Sequence, residues 1–226
     1  MTHVLVSYNR HNIKVSPKKA LLYAKKLIWG GLQVGVDGVR TDPARIAALV
    51  DMGRPETVAD VMHFVHALGW CSDKIINFAA IIFLLRTFVR EALAGAKRKT
   101  KNAAKRIKIS DTNYGAEHEA AMEMARDALV NSVRAAYYDP AKTVFVFTDA
   151  SYRFWSIIIT QVPTEQVGLP IGDMDHEFLC CDSGEFKHSQ LRWQIGDKEG
   201  FPVYLACKKH SVFCTTRSCS ASALGT

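Results

Sequence analysis

Apolar and polar positions change period several times along the chain, and each change marks an element. Leu27-Ile28-Trp29 and Val34-Gly35-Val36 flank Gly30-Gly31 and precede Asp37-Gly38, which predicts a β-hairpin with Asp37-Gly38 near its turn or end. From Asp42-Pro43 the period becomes helical: Ile46, Leu49 and Val50 share a face, and Gly53 with Pro55 stops the run. Thr57 followed by Asp60 resembles a capping box, and Val58, Val61, Met62, Val65 and Leu68 continue as one apolar stripe. A third helix is expected over 74–93, so that 42–93 forms a small helical bundle. A long helix is expected over 116–137, ended by Asp139-Pro140. The period then shortens: 144–149 and 154–162 read as apolar strands, 177–181 as a third, and 197–209 as a helix. Residues 211–226 are rich in Ser, Thr and Ala without a period and read as a disordered tail. The expected class is α+β.

Composition supports a folded chain, because hydrophobic residues make up 48% of the 226 residues. Charge changes the picture more. Lys97, Arg98, Lys99, Lys101, Lys105, Arg106 and Lys108 lie together with no acid among them, and they equal the whole formal excess of +7. The rest of the chain is neutral on paper. Such a segment suits phosphate contact, a nuclear import signal or a solvated connector, and its conformation reads equally as helix or linker. The six cysteines contain no CxxC pair, and residues 1–19 are polar and basic. Reduced thiols, no zinc site and an intracellular location, cytoplasm or nucleus, are therefore expected. The apolar stretch 75–85 is too short to span a bilayer, so no membrane role follows.

Candidate chemistry centres on Asp149, which closes the strand Val144-Phe145-Val146-Phe147-Thr148. A carboxylate there can hold Mg²⁺ at the rim of a sheet, or it can be a turn aspartate bonding its own backbone. His63 and His66 read as a solvated helix face, and Asp173 and Asp175 as a solvent-facing turn.

A set of short motifs in order resembles the Pol polyprotein of gypsy-type LTR retrotransposons. Ser16-Pro17-Lys18-Lys19, Trp29-Gly30, Gly38-Val39, Asp42-Pro43 and the segment 55–64 resemble the stretch joining a reverse transcriptase palm to its thumb. Tyr138-Asp139-Pro140, Thr148-Asp149-Ala150-Ser151, Trp155, Gln161-Val162-Pro163, His176-Glu177, Ser183-Gly184-Glu185-Phe186, Leu191-Arg192-Trp193 and Asp197-Lys198-Glu199 resemble an RNase H-like domain. The resemblance covers about residues 10 to 210 and rests on collinearity. It implies palm end and hairpin over 1–41, helical thumb and connection over 42–110, and a connection helix with a partial RNase H-like mixed α/β sheet over 111–210.

The resemblance also implies chemistry. RNase H-like enzymes cleave RNA in RNA–DNA hybrids with two Mg²⁺ ions held by carboxylates. Asp149 would be the first ligand and Glu199 the second. Phe213-Cys214-Thr215-Thr216-Arg217, the nearest candidate for the next, has Thr where the acid belongs, and no Asp or Glu follows Glu199. No Asp-Asp pair of the polymerase kind occurs. Gly196, Gly200 and Pro202 oppose a helix around Glu199 unless it starts near Phe201, Ser156 stands where the family commonly has Gly, and Asp182 is out of keeping with a buried strand. Without a fourth strand, 144–149 would be an exposed edge. Trp29 reads as a primer-contacting residue or a core Trp. The expected function is a catalytically impaired remnant that binds RNA–DNA hybrid or duplex through Trp29 and the basic run, with no small-molecule cofactor. The alternatives are a weak Mg²⁺-dependent ribonuclease H and a non-catalytic nucleic-acid-binding module.

Overall fold

The structure is a computed structural model that describes residues 2–16, 18, 20–21, 24–214 and 219–223. The motif at 16–19 and the apolar segment 21–23 fall partly outside the described residues. Helix α1 (Thr2–Arg10) leads to a three-stranded antiparallel meander, β1 (Lys26–Trp29), β2 (Leu32–Gly35) and β3 (Gly38–Thr41). The expected hairpin thus carries a further strand. Its first turn requires positive φ at Gly30 (59°) and Gly31 (80°), and a Cβ at Gly31 would strike the Arg45 guanidinium.

Helices α2 (Pro43–Val50) and α3 (Val58–Gly69) start where the sequence places them. Asp42 Oδ1 accepts from Ala44 N at 3.0 Å, with Pro43 at the first helical position. Asp60 accepts from Thr57 N (2.8 Å), Thr57 Oγ1 (2.9 Å) and Glu56 N (3.2 Å). Burial opposes ionisation of Asp60, but these donors win and hold its carboxyl below the ordinary value.

The single helix expected over 74–93 is divided. A 3₁₀ turn at Ser72–Lys74 is followed by Asn77 in the left-handed region (φ 57°), then α4 (Phe78–Ile81) and α5 (Phe83–Ala92). The left-handed residue lets the chain reverse and pack both pieces. The long helix expected to 137 ends earlier, as α7 (Ala116–Val130). Residues 131–137 are instead stitched into the joint of the molecule: Val133 N donates to Lys74 O, Ala135 pairs with Val39, and Ala136 N donates to Phe178 O. Tertiary hydrogen bonds override helical propensity there.

The second sheet has the order β6-β5-β4-β7, built from β4 (Thr143–Ala150), β5 (Phe154–Val162), β6 (Glu177–Glu185) and β7 (Cys219–Ala223). The first three are antiparallel neighbours, and β7 lies parallel to β4. This corrects two expectations. The stretch read as a disordered tail contains α9 (Ser211–Cys214) and β7, and β4 is not an open edge. An unpaired strand edge recruits backbone from any sequence able to extend, which no hydrophobic period announces.

Helix α8 (Ile195–Lys209) covers one face of the sheet, packing Phe201, Leu205 and Ala206 on Val144, Val146, Ile157 and Ile159. It runs close to the expected 197–209 and accommodates Pro202 inside it, without the late start near Phe201 that Pro202 was expected to require. Packing onto the sheet outweighs the lost backbone bond. The helical region has a core of its own around Phe64, Leu68, Ile82, Leu85, Phe88 and Leu129, all essentially inaccessible. The two regions are fixed together by Ala79 N donating to Ser183 Oγ (3.0 Å), Cys181 Sγ contacting Ser72 O (3.6 Å) and the 131–137 segment.

Candidate nucleic-acid interface and acidic site

The basic run is part of the helical core rather than a loose connector. Thr100 Oγ1 caps the short helix α6 (Lys101–Ala104) by accepting from Ala103 N. Val58 N donates to Ile107 O, and Ile109 N donates to Glu56 O, so the run is stapled to the start of α3. Ala104 and Ile109 are buried in the helical core, with Ala103 and Ile107 against it. The segment is amphipathic: small and apolar residues point in, and all seven cations are exposed. None of the seven is in a salt bridge among the described residues. The tethered part of the run thus presents its cations to solvent from a packed base.

Trp29 ends β1 and is 73% exposed, which removes the reading of a core Trp. Nearby Trp70 is also exposed, with the Arg45 guanidinium 5.7 Å from its ring centroid.

Asp149 and Glu199 are both exposed and stand at the same end of the sheet. They are tied there by Lys198, which is buried and donates from Nζ to Tyr152 O at 2.8 Å. That bond clamps the first turn of α8 to the β4–β5 turn. Asp149 nevertheless lies on the face away from α8, the helix that carries Glu199. Val144, Val146 and Ala150 pack toward α8, so Asp149, in step with Phe145 and Phe147, points to the opposite face. There it lines a cavity of about 220 Å³ with Asn77, Ala79, Ala80, Ser156 and Ser183. Ser156, in the place of the family's Gly, pairs with Asp149 on one side and Ser183 on the other. Asp149, Ser156 and Ser183 therefore form a polar row across three strands, which period reading alone could not foresee.

Among the described residues, no three of His, Cys, Asp and Glu are grouped to hold a metal ion. Thr215, Thr216 and Arg217, in the stretch that is the nearest candidate for the next carboxylate position, lie outside the described residues. His63 and His66 are exposed on α3, and Asp175 is engaged by Gln166 in a turn.

Other residues of the resemblance have architectural work. The buried Gln161 accepts from Asp139 N (2.9 Å) and donates to Tyr137 O and Glu177 (both 2.8 Å). Trp155 lies over Gly184, where a Cβ would come within 2.4 Å of the indole. Asp182 is paired with Lys209 Nζ at 2.8 Å, so it serves as an anchor for the end of α8. Burial raises the Asp182 carboxyl, but His210 and Lys209 prevail and hold it below its ordinary value. Burial, with Asp73 and Asp182 nearby, pushes the Cys180 thiol up to about 12, so it stays protonated at neutral pH.

No protein-family model matches the chain. Over 216 residues, 94% of this chain, it is 25% identical to the enzymatic polyprotein of cauliflower mosaic virus (strain Strasbourg). It is 23% identical over the same length to the enzymatic polyprotein of carnation etched ring virus. The chain spans 28% of the length of these relatives. Among solved structures, 98% of it superposes on foamy viral protease–reverse transcriptase in complex with RNA/DNA hybrid, with a TM-score of 0.70 at 14% identity and 28% of that chain covered. The same enzyme in complex with double-stranded DNA gives 0.70 at 15% identity, with 42% of that chain covered. The chain has the fold of a retroelement reverse transcriptase/RNase H-like region, and its sequence is similar to the corresponding stretch of viral polyproteins.

Proposed function

We propose that this chain is a Pol-derived reverse transcriptase/RNase H-like segment of the gypsy type that binds RNA–DNA hybrid or duplex nucleic acid and is catalytically impaired at its RNase H-like site. The observation that carries the reading is the basic run: seven exposed cations in a segment whose Ala104 is buried in the helical core, with Ala103 and Ile107 against it. Phosphate contact is what such an array offers, and the exposed Trp29 at a fixed turn adds an apolar surface for the sugar–base side of a strand. The foamy viral neighbours, which share the fold, are in complex with RNA/DNA hybrid and with double-stranded DNA. The donor set supports the reading of impairment: Asp149 points away from the face on which α8, the helix carrying Glu199, lies, and among the described residues no three metal-ligating side chains are grouped.

Two measurements test this. Affinity for a labelled hybrid should fall linearly with salt on a log–log plot, and neutralising all seven cations should make the slope shallower by about 6. An unchanged slope would remove the run from the interface. Incubation of the folded protein with a labelled hybrid in Mg²⁺ or Mn²⁺ should give no cleavage. Metal-dependent cleavage lost in Asp149→Asn would establish the runner-up, a weak ribonuclease H.

A further inference from the structure

The basic run is not where the cationic surface ends. Helix α5 carries Phe83, Arg86 and Arg90 at i, i+3 and i+7, which places them on one face. Arg86 and Arg90 are exposed. Arg153, in the β4–β5 turn of the other region, lays its guanidinium 4.7 Å from the Phe83 ring centroid. Phe83 in turn meets Phe154 edge-on at 5.4 Å. Arg86 stands 5.6 Å from the Phe78 ring centroid, and Arg90 donates to Thr87 Oγ1 at 3.3 Å. None of the three arginines is in a salt bridge among the described residues. Burial lowers the Arg86 guanidinium from its ordinary value, which Glu185 partly opposes, yet arginine remains charged at any physiological pH.

These arginines lie close to the run or to Asp149 along the chain. Lys97 follows the end of α5 by five residues, and Arg153 stands four residues beyond Asp149. An arginine whose carbon plane rests on an aromatic ring keeps its N–H edge free and loses little freedom on binding a phosphate. Arg86 and Arg90 are separated by one helical turn, about 6 Å along the axis. The joint between the regions is fixed, so charges on its two sides keep a constant spacing that suits a stiff ligand.

Resting on the nucleic-acid reading above, we infer that Arg86, Arg90 and Arg153 form a second phosphate-contact site at the joint between the helical region and the sheet. The site engages the backbone of the same duplex that the basic run holds, and it directs that duplex across the β4–β5 turn toward the Asp149 end of the sheet. The partner is a duplex phosphodiester backbone; base identity has no role.

The test is hybrid binding over a salt series by the full chain and three variants. In the first, Arg86, Arg90 and Arg153 are changed to Gln. The second is Arg90→Glu, whose side chain stacks on no ring. The third has the seven cations of the run neutralised. The triple variant should bind with a slope shallower by about 2 to 3, and Arg90→Glu should lose about tenfold in affinity at low salt. Thermal melting confirms folding of each variant. If the run variant loses binding while the triple variant and Arg90→Glu match the unmodified chain, the second site is wrong and the first reading survives. If the unmodified chain binds no hybrid, both readings fall. A loss of affinity in the triple variant accompanied by unfolding, with Arg90→Glu binding normally, would also overturn the site.

Discussion

The helical region and the β4–β6 sheet region use their polar residues in opposite ways. In the helical region the seven cations of the basic run, with Arg86 and Arg90, face solvent without carboxylate partners among the described residues. In the sheet region the polar residues of the resemblance are turned inward: Gln161 ties 137–139 to β6, Lys198 clamps a turn, and Asp182 anchors α8. The difference separates two reasons for a polar residue to matter. One region offers charge to a ligand, whereas the other uses hydrogen bonds to hold its own shape. Solvent-facing charge therefore concentrates on the helical side, while in the sheet Asp149 and its serine row present a polar surface to a cavity.

The largest expected effects come from the two cores. Phe64 and Phe186 are both 0% exposed, one in each region. Phe64→Ala and Phe186→Ala should each cost about 3–5 kcal/mol. The joint bonds at Ser72, Ala79, Lys74 and Phe178 make the regions one body, so each variant should shift a single denaturant transition seen by both far-UV and tryptophan signals. Two separated transitions would mean that the regions unfold independently, and the fixed spacing across the joint would lose its basis.

A smaller effect sharpens the architectural half of the comparison. Gln161 is 1% exposed and makes three hydrogen bonds, so Gln161→Leu would leave Asp139 N and Tyr137 O without that partner. Each orphaned buried group costs about 1–3 kcal/mol, and a loss of about 2 kcal/mol or more is expected in denaturant unfolding. Hybrid affinity of the folded variant should not change. A neutral effect on stability, or a loss of binding by the folded protein, would place Gln161 on the wrong side of the division.

The sequence made the periodic elements legible and left the joints hidden. The start of α2 and the Thr57–Asp60 box follow from local chemistry, as do β4 and β5 from unbroken apolar runs. Asn77 could not be foreseen as a break, because its left-handed backbone depends on packing at both sides. The end of α7 and the strand β7 depend on acceptors and donors supplied by distant chain. The candidate site divides in the same way. Asp149 and Glu199 were visible as residues, but the face each takes is set by where α8 docks. The turn beside Trp29 is legible in the sequence, whereas its exposure depends on what the fold packs against β1. Arg86 and Arg90 stood one turn apart in plain view, whereas the partner that gives them meaning, Arg153, joins them only through Phe83.

The smallest prediction concerns the Lys142–Glu177 pair, 2.6 Å apart at the edge of the sheet. The Lys142 hydrogen bond, then the Gln161 bond, hold the Glu177 carboxyl below its ordinary value of 4.5, with slight burial opposing. A carboxyl lowered in the folded state stabilises the fold at pH above the unfolded value, and that contribution declines as pH falls from 4.5 through the lowered folded value. The Glu177 side chain is 44% exposed, so solvent screening limits the contribution to about 0.2–1 kcal/mol. Glu177→Gln keeps an acceptor toward Gln161 and removes the charge. The stability difference between the unmodified chain and this variant should be present at pH 7, narrow below 4.5 and shrink further in high salt. A difference that persisted unchanged into acid would assign the role of Glu177 to its hydrogen bonds, making the sheet region architectural even at this exposed edge pair. A difference that vanished in salt at pH 7 would show that Lys142 and Glu177 meet as exposed surface charges, and the internal use of polar groups would then stop at Gln161.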